Sequence, residues 1–119
     1  MAYFSFAKDI LENRKIQVRN HGDQIRDFTY IDDIIEGVFR TLRVIDSQRT
    51  PLVLNLGRGE PHTVVELISN LEESLGRKAI TELVGQSTGD VLHTSADISL
   101  AQELIGYRPI VSFAEGLEE

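Results

Sequence analysis

The sequence predicts an α/β domain of three or four short strands packed with about four helices. Apolar residues recur with a helical period in several stretches, and short apolar runs lie between them. Glycine or proline closes most of these segments. A chain of 119 residues, 41% hydrophobic and 26% charged, has the composition of one soluble domain spanning the whole chain. At that size no disulfide or metal staple is needed for folding.

Tyr3, Phe6, Ala7, Ile10 and Leu11 fit an amphipathic helix that ends near Asn13 and begins at Met1 without a capping residue. Ile16 and Val18 read as a short strand, Asn20 to Asp23 as a turn, and Arg26 to Tyr30 as a second extended piece. Asp32 or Asp33 is placed to cap a helix whose buried face is Ile34, Ile35, Val38, Leu42 and Ile45. Gly37 inside that helix costs about 1 kcal/mol against alanine, which implies close packing on a neighbouring backbone.

Leu52 to Leu56 reads as a buried strand ended by the turn Gly57-Arg58-Gly59. Thr63 and Glu66 form a capping box ahead of the stripe Val64, Leu67, Ile68, Leu71 and Leu75, and Gly76 stops that helix. Ile80 to Val84 reads as a strand and Gly85 to Thr94 as a polar loop. Asp97 caps a helix carrying Ile98, Ala101, Leu104 and Ile105, with Gly106 as its stop. Ser112 and Glu115 form a second capping box that announces a helix from Phe113, yet the chain ends within two turns. Both ends therefore look cut from something longer.

Composition excludes several classes of function. Cysteine is absent, which removes disulfides, thiolate nucleophiles and Cys-based zinc sites, and makes a reducing, cytoplasmic setting the default. A net charge of −7 is the wrong sign for a general nucleic-acid binder. No apolar run has the length of a membrane span. His21, His62 and His93 show no metal-ligand spacing and read as solvated. Gly57-Arg58-Gly59 lacks the third glycine of a dinucleotide loop and reads as a turn, while no nucleophile elbow or Walker sequence occurs. No catalytic residue is assigned.

The most informative stretch runs from His21 to Gly37. Its Arg26 could aim a planar charged fork at a phosphate or carboxylate, or pair with a nearby acid such as Asp27. Arg26 to Asp33, preceded by Asn20-His21-Gly22, resembles a segment of the NAD-dependent nucleotide-sugar epimerases and dehydratases, which are extended short-chain dehydrogenases/reductases. Within them it is most similar to the UDP-glucuronate 4-epimerases. Further blocks appear in the same order: Met1-Ala2 with Phe6, Leu54 to Gly57 ahead of Pro61, and Gly89-Asp90-Val91 followed by Thr94, Ala96-Asp97 and Gly106 to Pro109.

The resemblance implies the C-terminal, substrate-binding part of such an enzyme without its Rossmann domain. It further implies that Arg26 contacts a UDP diphosphate, that Asp90 lies near the ribose, and that the backbone from Gln17 to Arg19 meets the uracil edge. The family's glycine-rich NAD loop and Tyr-x-x-x-Lys pair are not in this sequence. A chain that binds a UDP-sugar weakly, holds no NAD and is inactive alone is the expectation. The alternative is a structural or interaction module. A homodimer is expected in either case, through the first helix or the Leu52 to Leu56 edge, because apolar surface there would otherwise face water.

Overall fold

A computed structural model describes residues 2–47, 51–85, 89 and 91–119. In chain order the elements are α1 (Ala2–Leu11), β1 (Lys15–Arg19), β2 (Ile25–Asp27), α2 (Ile31–Val44), β3 (Pro61–Thr63), α3 (Val64–Leu75), β4 (Ile80–Val84), α4 (Ser99–Ile105) and α5 (Phe113–Glu118). Short 3-10 turns occupy Asn20–Gly22 and Ile45–Ser47. The α/β class holds. β1 runs parallel to β4, with Ile16 opposite Thr81 and Val18 opposite Leu83, and β2 pairs with β3. The chain divides into two compact units, one of Met1–Arg26, His62–Thr94 and Leu117–Glu119, the other of Asp27–Pro61 and Ser95–Gly116.

In the first unit the core is made of Ile10, Ile16, Val18, Leu67, Ile68 and Leu71. α1 packs on α3 and on β1. The helix ends are satisfied locally. Glu66 N–H donates to Thr63 Oγ1 at 3.1 Å, and Thr63 N–H returns a bond to Glu66 Oε2 at 2.6 Å, which completes the expected capping box. Those bonds from Thr63 lower the pKa of the Glu66 carboxyl. Gly76 closes α3 in the left-handed conformation, with φ of 61°. Arg77 Nη1 donates to the Leu11 carbonyl at 2.8 Å, filling an acceptor at the end of α1.

Between β1 and β2 the chain turns through three successive left-handed residues, Asn20, His21 and Gly22, with φ of 53°, 55° and 86°. Glycine is required at the third, since a Cβ there would stand 2.3 Å from Val65 Cγ2. β3 went unread in the sequence because Pro61-His62-Thr63 has neither alternation nor an apolar run.

The second unit buries Ala101, Ile105 and Tyr107, with Val44, Leu54, Leu56 and Ile98 packed around them. Here several expectations fail. α2 begins at Ile31 after Tyr30, so Asp32 and Asp33 lie inside its first turn and do not cap it. Asp33 is buried and accepts hydrogen bonds from Ile110 N at 2.9 Å and Val111 N at 3.2 Å. The expected apolar face is turned outward as well: Ile35, Val38, Leu42 and Ile45 are exposed, while Asp33 and Gly37 face in.

Gly37 does sit in a close contact, but side chains make it: a Cβ would stand 2.9 Å from Leu56 Cδ1 and 3.0 Å from Tyr107 Cε2. Leu52 to Leu56 belongs to no strand. An apolar run can fill a core by its side chains, as Leu54 and Leu56 do, but a strand also needs a partner's hydrogen-bond ladder. α4 starts one residue later than expected, with Asp97 Oδ1 accepting from Ser99 N–H at 3.0 Å. The second capping box forms as read, Ser112 N–H donating to Glu115 Oε2 at 2.9 Å.

Candidate functional site

Arg26 stands on β2, half-buried. The strand is flanked by β3 on one side and by residues 92–94 on the other: Ile25 N–H donates to the Leu92 carbonyl at 2.8 Å, and Thr94 N–H to the Ile25 carbonyl at 3.1 Å. That parallel bridge pairs Ile25 with His93. Val64 N–H bonds the Gln24 carbonyl at 3.0 Å, so the chain on both sides of Arg26 is fixed. Its Nη1 donates to the Ile25 carbonyl at 2.8 Å and to the Leu92 carbonyl at 3.4 Å. One corner of the guanidinium is thereby anchored on backbone carbonyls.

Gln17 and Arg19 lie with Lys15 on the exposed side of β1, next to Glu82 and Val84 of β4 in the ladder. Gln17, Arg19 and Arg26 thus belong to one compact unit, the first two on the β1–β4 pair and the third on β2. Asp90 lies outside the described residues. His21 and His93 are exposed, and His62 is half-buried with Nδ1 3.8 Å from Glu66 Oε1. Among the described residues no three His, Asp or Glu side chains gather where a metal could be held.

A second polar centre, which sequence reasoning missed, lies within the other unit. Asp27 accepts backbone N–H bonds from Arg58 at 3.2 Å, Gly59 at 2.9 Å and Ala96 at 3.0 Å. The Gly57-Arg58-Gly59 turn therefore does bind an anion, and that anion is the chain's own carboxylate. Glycine at 57 lets it close, for a Cβ there would stand 2.5 Å from Ala96 Cβ and 3.0 Å from Asp27 Oδ2. Arg58 itself reaches Glu60 at 3.0 Å and the Val111 carbonyl at 2.6 Å. A signal was present: neighbours on a strand point to opposite sides, so an acid directly after Arg26 is committed elsewhere.

Tyr107 is fully buried, and its hydroxyl makes no hydrogen bond among the described residues. Burial, and then the Asp33 and Asp27 carboxylates, push its phenol up to about 12.

Among the described residues, the Gly57-Arg58-Gly59 turn does not fit a dinucleotide's diphosphate. A dinucleotide's diphosphate needs unengaged amides at a glycine turn, and at this turn the Arg58 and Gly59 amides are bonded to Asp27. Among the described residues no helix is long and apolar enough to cross a membrane.

Comparison with known proteins adds an independent line. Residues 1–57 match the NAD dependent epimerase/dehydratase family. An uncharacterised protein of Methanocaldococcus jannaschii is 42% identical over 99% of this chain and 35% of its own length. UDP-glucuronate 4-epimerase 4 of Arabidopsis thaliana is 41% identical over 100% of this chain and 30% of its own. Among solved structures, the UDP-glucuronic acid 4-epimerase of Bacillus cereus in complex with UDP-glucuronic acid and NAD superposes with a TM-score of 0.86 at 35% identity. That match covers 99% of this chain and 37% of the epimerase. The chain spans about a third of the length of the curated relatives it matches.

Proposed function

We propose, from a chain that corresponds to part of the NAD dependent epimerase/dehydratase family, that it is the UDP-sugar-binding portion of a sugar 4-epimerase. The observation that carries the reading is Arg26, whose guanidinium is anchored at one corner by the Ile25 and Leu92 carbonyls. In this reading Arg26 grips the diphosphate, the backbone from Gln17 to Arg19 meets the uracil, and Asp90 accepts from the ribose hydroxyls. NAD and the proton-transferring tyrosine come from elsewhere, so the chain alone neither holds NAD nor turns over a UDP-sugar. Its setting is the cytoplasm.

Calorimetric titration with UDP tests this. Part of a pocket wall binds weakly, with Kd of ~0.1 to 1 mM. Arg26→Ala removes a charge-assisted contact worth about 1.5 to 3 kcal/mol, which weakens binding by about 10- to 150-fold. Equal affinity in the parent and Arg26→Ala would refute the assignment, and turnover of UDP-glucuronate with NAD by the chain alone would refute its inactivity.

A second reading has a specific observation behind it. Tyr3, Phe4 and Leu11 of α1 and Leu52 and Val53 of the extended run are exposed, as are most apolar residues of α2. Surface of that kind favours self-association into a homodimer.

A further inference from the structure

β3 brings a histidine to the strand that carries Arg26. β2 and β3 are neighbours, Ile25–Asp27 beside Pro61–Thr63, so Arg26 and His62 are each the middle residue of a three-residue strand. The bond from Val64 N–H to the Gln24 carbonyl, just beyond both strands, fixes their direction. A parallel pairing through that bond would draw Gln24 or Val64 into the ladder, and neither belongs to a strand. The pair is therefore antiparallel, with His62 opposite Arg26. Opposite residues in such a pair share a face, their Cβ atoms about 5 Å apart. Both residues lie in the first unit. His93 pairs with Ile25 and so stands on the other face, because side chains alternate along β2.

The start of α3 orients the ring. Glu66 Oε2 accepts from Thr63 N–H at 2.6 Å and from Thr63 Oγ1 at 2.9 Å, which leaves Oε1 to face His62 Nδ1 at 3.8 Å. The capping box thus sets which ring nitrogen meets the carboxylate and turns Nε2 away from it. The imidazole is 26% exposed, open enough to meet a ligand and covered enough to be held. We propose that His62 is a second anion-binding residue beside Arg26, its imidazolium Nε2 donating to the diphosphate that Arg26 grips. As imidazolium the ring donates from both nitrogens, Nδ1 towards Glu66 and Nε2 towards a phosphate oxygen. The charged side chains turned towards it from the elements beside β3 are Glu66 of α3 and Arg26 of β2, Asp27 lying on the other side of β2. With His62 protonated these groups leave one net positive charge to meet the anion; with His62 neutral they leave none. Two donors on neighbouring strands also suit the two phosphoryl groups of a diphosphate, so His62 favours UDP and UDP-sugars over a nucleoside monophosphate.

The inference rests on the UDP-sugar-binding reading above, and the experiment separates the two. The isotope-labelled 119-residue chain is titrated with UDP-glucose, whose diester diphosphate keeps its charge between pH 6 and pH 8, and followed by NMR. At pH 6 the ligand is expected to move the ring resonances of His62 and leave those of His93 in place. Affinity is expected to fall about fivefold by pH 8 as the imidazolium loses its proton. His62→Gln is expected to keep the amide spectrum of the folded chain, to bind about tenfold more weakly than the parent at pH 6, and to lose the pH dependence. His62→Lys, which keeps a cation at this position, is expected to bind at both pH values within about threefold of the parent at pH 6. If His62→Gln binds as the parent does while Arg26→Ala is weakened, the proposal falls and the Arg26 reading stands. Equal losses in His62→Gln and His62→Lys, with the pH dependence unchanged, would show that the ring only supports the fold, which overturns the proposal. A parent that does not bind, or an Arg26→Ala that binds equally well, removes both.

Discussion

α2 and α3 carry the same kind of apolar pattern and bury opposite sides of it. In α3 the pattern, the capping box and the left-handed glycine stop agree, and Leu67, Ile68 and Leu71 close the core of the first unit. In α2 the inward side is Asp33, Gly37, Arg40 and Thr41, a surface secured by hydrogen bonds, while the apolar side faces out. The difference teaches that periodicity reports a face that seeks cover. It does not say which surface supplies the cover. Where the chain itself supplies it, apolar contact stabilises the helix. Where it does not, buried polar groups must hold the helix in place, and each has to find its partners.

The largest test of that contrast is a pair of equal truncations. Leu67→Ala should destabilise the chain by about 3 kcal/mol, the scale of a core leucine deletion, whereas Leu42→Ala should cost less than about 0.5 kcal/mol in the monomer. Urea unfolding at low protein concentration measures both. A large loss at Leu42 under those conditions would mean that the α2 stripe is already covered.

A smaller effect is expected from the polar side of α2. Asp33→Ala leaves the part-buried Ile110 and Val111 N–H groups without their acceptor and should cost about 1 to 2 kcal/mol. Asp32→Ala, one residue away on the exposed side, should change the same unfolding curve by a few tenths at most.

The smallest effect concerns Tyr107, where the buried hydroxyl has no hydrogen-bond partner among the described residues. Tyr107→Phe should leave stability at neutral pH unchanged or slightly higher. The alkaline side carries the sign. The folded-state phenol is raised from the usual 10 to about 12, so the unfolded chain releases its proton first. Stability linked to Tyr107 is therefore full below pH 10 and is lost as pH rises towards 12. In the Phe variant that part of the alkaline loss should disappear, which a series of urea midpoints from pH 8 to 11 would show.

Much of this protein was fixed within single turns of chain. The capping boxes at Thr63 and Ser112 and the glycine stops at 76 and 106 were readable because each uses hydrogen bonds between residues no more than six apart, and sequence shows such neighbours together. β1 and β4 were readable as extended runs for a similar reason, and Arg26 was singled out by its setting between a turn and an extended segment. The tertiary structure alone decided the rest. It turned the α2 stripe outward, left Leu52 to Leu56 without a ladder, and made a strand of Pro61–Thr63. It also committed the glycine turn at 57–59 to Asp27, whose bonds to Arg58 and Ala96 span 31 and 69 residues. A local pattern sets what a segment can form, but which face is covered depends on partners that folding brings from far along the chain.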